Sequence, residues 1–113
     1  MIQIYHNQRC GKSRSCLLLL EESNSEVEII NYLKTPPSQT ELTALLQKLN
    51  FSAIELVRQK EQIWIENFKG KTLTENEIIQ AMVENPILIQ RPIVVNGDKA
   101  IIGRDLEKVI PFI

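Results

Sequence analysis

Apolar and polar residues alternate over Ile2-Gln3-Ile4-Tyr5, which predicts a short strand with one face buried. Lys12 to Glu22 reads as a helix, and its run Leu17-Leu18-Leu19-Leu20 predicts cover on more than one face. Val27-Glu28-Ile29-Ile30 supplies a second strand, and the helix between the two has the length of a parallel crossover. Pro36-Pro37 then stops regular structure. Ser38 with Glu41 forms a capping box ahead of Leu42, Leu45, Leu46 and Leu49, which share one helical face. Ser52 to Val57 reads as a short helix, whereas Gln62 to Lys71 mixes Trp64 and Phe68 with polar residues and shows no clean period. A second capping box, Thr74 with Glu77, opens a helix through Ile78, Ile79, Met82 and Val83 that Asn85-Pro86 ends. Ile93-Val94-Val95, Asn96-Gly97-Asp98 and Ala100-Ile101-Ile102 spell a hairpin, after which Asp105 caps a final helix through Leu106, Val109 and Ile110.

Strand, helix, strand, helices, strand, strand, helix is the order of an α/β domain. It matches the thioredoxin-like plan, a mixed sheet with a helical insertion after the second strand. Spacing leaves the strand order open. In that plan a reactive cysteine follows the first strand and a cis proline precedes the third, and Pro92, directly before Ile93, stands in the proline's place.

A chain of 113 residues with 43% apolar content suffices for one domain, residues 1–113, with a real core. Thirteen basic and fourteen acidic side chains nearly cancel, so overall charge gives no pull toward nucleic acid or anionic lipid, and anion binding has to be local. No apolar run approaches the ~20 residues that span a bilayer, and Met1-Ile2-Gln3-Ile4-Tyr5 lacks the basic leader of an export signal. The expectation is a cytoplasmic protein without membrane or nucleic-acid partners. Cys10 and Cys16, six positions apart, would be separated by roughly 9 Å of helical rise, beyond the ~7 Å limit for bridged Cα atoms. They are expected to stay unpaired, Cys16 as a structural residue on the buried side of its helix.

Cys10 lies between the first strand and the first helix, within Tyr5-His6-Asn7-Gln8-Arg9-Cys10-Gly11-Lys12-Ser13-Arg14. A thiol at a helix N-terminus meets unpaired N–H groups and the positive end of the dipole, which favour the thiolate, and Arg9 and Lys12 add positive charge. A nucleophile is expected there, against the plainer reading of a small buried residue. His6 is read either as a partner that stabilises the sulfur or as a packing residue with a satisfied ring. Ser13 occupies the place of the second thiol of a C-x-x-C pair, so any disulfide must be completed by an outside thiol. One histidine and two poorly spaced cysteines make no metal ligand set, and no bound cofactor is expected. Arg58, Arg91 and Arg104 stand at punctuated positions; each alone reads as a solvated charge. In the thioredoxin-like plan Arg91 and Arg104 would converge on the cysteine and bind a tetrahedral oxyanion.

The cysteine segment, Tyr32-Leu33-Lys34-Thr35-Pro36-Pro37-Ser38, Arg58-Gln59-Lys60-Glu61 and Asn85-Pro86-Ile87-Leu88-Ile89-Gln90-Arg91-Pro92-Ile93-Val94-Val95 together resemble the glutaredoxin-coupled arsenate reductases. These motifs agree in order and spacing over nearly the whole chain. The resemblance implies Cys10 as nucleophile, His6 as a residue that lowers its pKa, and Arg58, Arg91 and Arg104 as oxyanion ligands. It also implies reduction of arsenate to arsenite, with glutathione as co-substrate and glutaredoxin as partner. Gln8 stands where the family often has proline, and Lys12 and Cys16 replace residues common in it. Two other readings use the same scaffold. One is a regulator of the Spx type that binds RNA polymerase, although Ser13 removes the C-x-x-C switch usual there. The other is a general thiol-disulfide or glutathionylation enzyme.

Overall fold

In the computed structural model, which describes residues 1–113, the alternation at the start of the chain becomes strand β1 (Ile2–Tyr5), with Ile2, Ile4 and Tyr5 buried. β1 pairs in parallel with β2 (Val27–Ile30), Ile2 opposite Val27, and antiparallel with β3 (Ile93–Asn96), Ile4 opposite Val94. β3 turns through Gly97, whose φ of 65° lies in the left-handed region that hairpin turns require, into β4 (Lys99–Ile102). The sheet is therefore mixed, in the order β2-β1-β3-β4. By contact density the chain forms two compact units, Met1–Thr35 with Arg91–Ile113, and Pro36–Gln90.

In the first unit, helix α1 (Gly11–Glu22) buries Ser13, Cys16 and Leu20, spaced three and four apart, on a core of Ile2, Ile4, Val94 and Val109. Leu17 and Leu19 pack at its margin, whereas Leu18 is 55% exposed. This corrects the expectation of cover on more than one face. Four successive helical residues, at about 100° each, point nearly all the way round the axis, so one must face away from a sheet that lies on one side. Cys16 is fully buried and unpaired, as expected of a structural thiol, and burial pushes its pKa up to about 11.

Gly103 follows β4 and donates its N–H to the Pro92 carbonyl at 2.8 Å. A Cβ there would lie 2.7 Å from Cys16 Sγ, 3.1 Å from Val94 and 3.3 Å from Pro92. Gly103→Ala is expected to lower stability by about 1–3 kcal/mol through overpacking, and Cys16→Ala in the same chain to recover part of that loss. Urea midpoints of the two variants check this; an unchanged midpoint for Gly103→Ala would mean that the packing yields freely.

Asp105 accepts a hydrogen bond from the Glu107 N–H and starts α6 (Leu106–Val109). The chain then tightens into a 3-10 turn over Ile110–Phe112, so the α-helix ends one residue short of Ile110. Pro111 explains the change, because it has no N–H to offer a carbonyl one turn back.

The second unit is helical. α2 (Gln39–Leu49) has the full Ser38/Glu41 capping box, buries the four expected leucines and ends on left-handed Asn50. α3 (Ala53–Leu56) is the expected short helix. α4 (Gln62–Asn67) occupies part of the stretch that shows no period; it buries only Trp64, which stacks on Phe68 at 5.3 Å. α5 (Glu75–Glu84) starts from the Thr74/Glu77 box and buries Ile78, Ile79, Ala81 and Met82. A 3-10 turn over Pro86–Leu88 follows. No helix of the chain is long and apolar enough to cross a membrane.

Candidate active site

Parallel pairing continues one residue past β1, where the His6 N–H donates to the Ile30 carbonyl at 2.8 Å, and the chain then leaves the sheet. Asn7 shapes the exit. Its side-chain oxygen accepts the Arg9 N–H at 2.9 Å and its carbonyl accepts the Cys10 N–H at 3.0 Å, a tight turn that delivers Cys10 to the N-cap of α1. The Cys10 carbonyl accepts the first helical bond, from the Arg14 N–H at 3.0 Å, and Arg14 Nη1 donates back to the Gln8 carbonyl at 3.0 Å.

Cys10 is half-buried and free. Its sulfur makes no capping hydrogen bond at standard geometry, but the backbone N–H groups of Ser13 and Lys12 in the first helical turn interact with it. Burial alone pushes its pKa up. The backbone N–H groups of Ser13 and Lys12, together with the hydrogen bond and charge of Arg104, outweigh that and hold the thiol below its ordinary value. Arg104 Nη1 lies 3.9 Å from the sulfur. Lys12 thus acts through its backbone N–H, and Arg104 supplies the charge that lowers the pKa. Arg9 and Lys12 are both exposed.

His6 is buried, and its Nδ1 lies 2.6 Å from Ser13 Oγ. Ser13 Oγ also accepts the Asn7 N–H at 3.0 Å. The fully buried Ser13 hydroxyl thus holds two partners, the Asn7 N–H and the His6 ring nitrogen. Burial, and then the charge of Arg14, depress the His6 pKa, with Glu21 opposing, so the ring is neutral near pH 7. Ser13 therefore does more than fill the place of a missing thiol: it ties the end of β1 to α1 beneath the cysteine turn. The sequence signal for this was weak, a serine and a histidine seven residues apart.

The Arg91–Pro92 peptide bond is cis, at the position expected for it. The Arg91 carbonyl accepts Arg104 Nη1 at 3.1 Å, so the same nitrogen that approaches the sulfur is anchored on the segment before β3. Arg91 Nε and Nη1 are buried and have no hydrogen-bond partner. Two buried donors with no protein acceptor leave Arg91 free to receive an external hydrogen-bond acceptor. The first unit thus brings Cys10, Arg104, the Arg91 main chain and Pro92 together, with His6 held below them through Ser13. Arg58 belongs to the second unit, where its Nη1 pairs with Glu61 Oε1 at 2.6 Å and its N–H donates to the Leu88 carbonyl. No three His, Cys, Asp or Glu side chains cluster as a metal ligand set.

A half-buried, anion-favouring sulfur beside a guanidinium is equipped to attack an electrophilic centre that carries negative oxygens. If Arg104 sustains the thiolate, Arg104→Ala is expected to move the Cys10 titration upward toward the ordinary thiol range. The rate of iodoacetamide alkylation against pH reads this directly, and a superimposable profile would assign the whole shift to the helix N-terminus.

Comparison with known proteins gives a consistent result. Residues 5–112 match the model of the ArsC family. The chain is 48% identical to the uncharacterized protein YfgD of Escherichia coli, over 99% of this chain and 96% of that one. It is 39% identical to an arsenate reductase of Neisseria meningitidis, over 96% of this chain and 94% of that one. Among solved structures, an arsenate reductase from Vibrio cholerae superimposes with a TM-score of 0.94 at 39% identity, covering 99% of this chain and 97% of that one.

Proposed function

The chain belongs to the ArsC family, and from that premise we propose that it reduces arsenate to arsenite through Cys10, with glutathione and glutaredoxin supplying the electrons. The observation that carries this reading is the pair of buried, unpartnered donors on Arg91 in the unit that also holds Arg104 and the sulfur whose pKa is held below its ordinary value.

The arsenate oxygens are received by the Arg91 fork and by Arg104, whose charges offset that of the incoming anion. The Cys10 thiolate attacks arsenic, an As–O bond breaks, and the departing oxygen takes up protons and leaves as water. A glutathione thiol then engages the thiol-bound arsenic. The electron pair of the sulfur–arsenic bond stays on arsenic, taking it from the +5 to the +3 state, and arsenite leaves with the thiol proton. The two sulfurs remain joined as a Cys10–glutathione disulfide, which glutaredoxin opens by thiol exchange. His6, neutral and fixed by Ser13, serves as a positioning residue beneath the turn.

Phosphate has the same shape and charge, so the arginines bind it too; discrimination comes from arsenic's accessible +3 state. Arsenate-dependent oxidation of NADPH, coupled through glutathione reductase, glutathione and glutaredoxin, tests the proposal. Turnover that requires all components supports it. Reduction of mixed disulfides with no arsenate turnover would make the protein a general thiol-disulfide enzyme instead.

A further inference from the structure

We propose that a cavity beside the cysteine turn binds the carboxylates of the thiol that completes the reaction. The cavity, of about 280 Å³, is lined by Asn7, Gln8 and Arg9 from the turn after β1 and by Asn31, Leu33 and Lys34 from the turn after β2. Because β1 and β2 are adjacent and parallel, both turns leave the same end of the sheet. Crevices at the carboxyl ends of parallel strands are where open α/β sheets place their ligands. Cys10 follows Arg9 directly.

The charge of the lining is one-sided. In a chain with fourteen acidic residues, none lines this cavity, while it carries two cations. Neither has an acidic partner, since the chain's single ion pair joins Arg58 to Glu61. Asn31 holds the second turn in place, its carbonyl accepting the Lys34 and Thr35 N–H groups at 3.0 and 2.9 Å. Two unpaired cations, three side-chain amides and one leucine suit an extended, carboxylate-bearing chain with a short apolar stretch. The volume holds one arm of such a molecule, not an entire folded partner.

Such a ligand is needed because the chain offers no second thiol of its own. Ser13 replaces it within the motif, and Cys16 is buried with its pKa raised. This inference rests on the reading that an outside thiol turns over Cys10, and it specifies that thiol as a small peptide with free carboxylates, the class to which glutathione belongs. The cations would seat the carboxylates, leaving the thiol to reach the neighbouring sulfur.

The test is Arg9→Ala/Lys34→Ala in the full chain. The KM for glutathione should rise roughly tenfold, while kcat at saturating glutathione and the KM for arsenate stay near wild type. With 2-mercaptoethanol, which has no carboxylate, the variant and wild type should be equal. Salt should raise the wild-type KM for glutathione and leave that of the variant nearly flat. Independently of turnover, titrating unreactive S-methylglutathione into 15N-labelled protein should shift the Asn7, Arg9, Asn31 and Lys34 amides, and the variant should lose the response. A wild type that shows these shifts but no arsenate turnover would sink the arsenate reading and keep the cavity assignment. An unchanged glutathione KM, absent amide shifts, or an effect confined to the KM for glutaredoxin would overturn the inference.

Discussion

Cys10→Ser is expected to lower arsenate turnover by roughly 10³-fold or more while leaving the fold in place, the size of effect seen when the attacking group of a covalent mechanism is removed. The structural part of this expectation follows from the turn. The bonds that set it come from the Cys10 main chain, from Asn7 and from Ser13, and none uses the Cys10 sulfur as an obligatory partner. Serine is a good N-cap residue, so the helix start is retained or slightly strengthened. The chemical part follows from ionisation. A thiol held below its ordinary pKa ionises more readily than a free thiol, whereas a serine hydroxyl with no base on it stays essentially un-ionised, and the His6 ring is committed to Ser13. Arsenate binding should survive, because the arginines remain. The check is paired: coupled turnover of wild type and variant, with circular dichroism and arsenate protection against thermal unfolding on the same samples. A variant that kept parental turnover would end the single-cysteine mechanism, while loss of fold and activity together would trace the deficit to the turn.

How far the sequence foretold this arrangement depended on how local each signal was. Capping boxes at Ser38 and Thr74 and the Asn96-Gly97 turn are satisfied within a few residues, and each appears where it was expected. The position of Cys10 between β1 and α1 was local in the same sense. Helix α4 was not legible because six residues with one buried position, Trp64, show no period. The four leucines of α1 misled for the opposite reason: apolar content implied burial, but a single sheet face takes only one side of the helix, leaving Leu18 outside. At the site, the residue types were readable and their partners were not. Lys12 looked like a charge beside the thiol and acts through its N–H; Ser13 looked like an absence and holds His6 and Asn7. Both outcomes depend on which groups point inward across the turn, and that is fixed only once β1, β2 and α1 are packed.

Arg91→Ala should reduce kcat/KM for arsenate by about 10²- to 10³-fold, the range found when one donor of a preorganised oxyanion site is deleted. It should do so without weakening the protein in the absence of anion. Arg91 Nε and Nη1 are buried with no partner, so in the free protein they carry a desolvation penalty that alanine removes. The interaction that anchors Arg104 is with the Arg91 carbonyl, which any residue at position 91 provides. A structural arginine would behave in the opposite way, since its loss would destabilise the chain and leave anions irrelevant. The two roles separate in a thermal titration. Wild type should gain stability as arsenate or phosphate rises, by RT ln(1 + [L]/Kd), and Arg91→Ala should begin at an equal or higher midpoint and respond far less. Arg91→Lys should recover little, because a point charge cannot present the planar fork that two buried nitrogens offer. Equal anion responses in wild type and Arg91→Ala would remove Arg91 from the oxyanion site and, with it, the observation on which the arsenate reading stands.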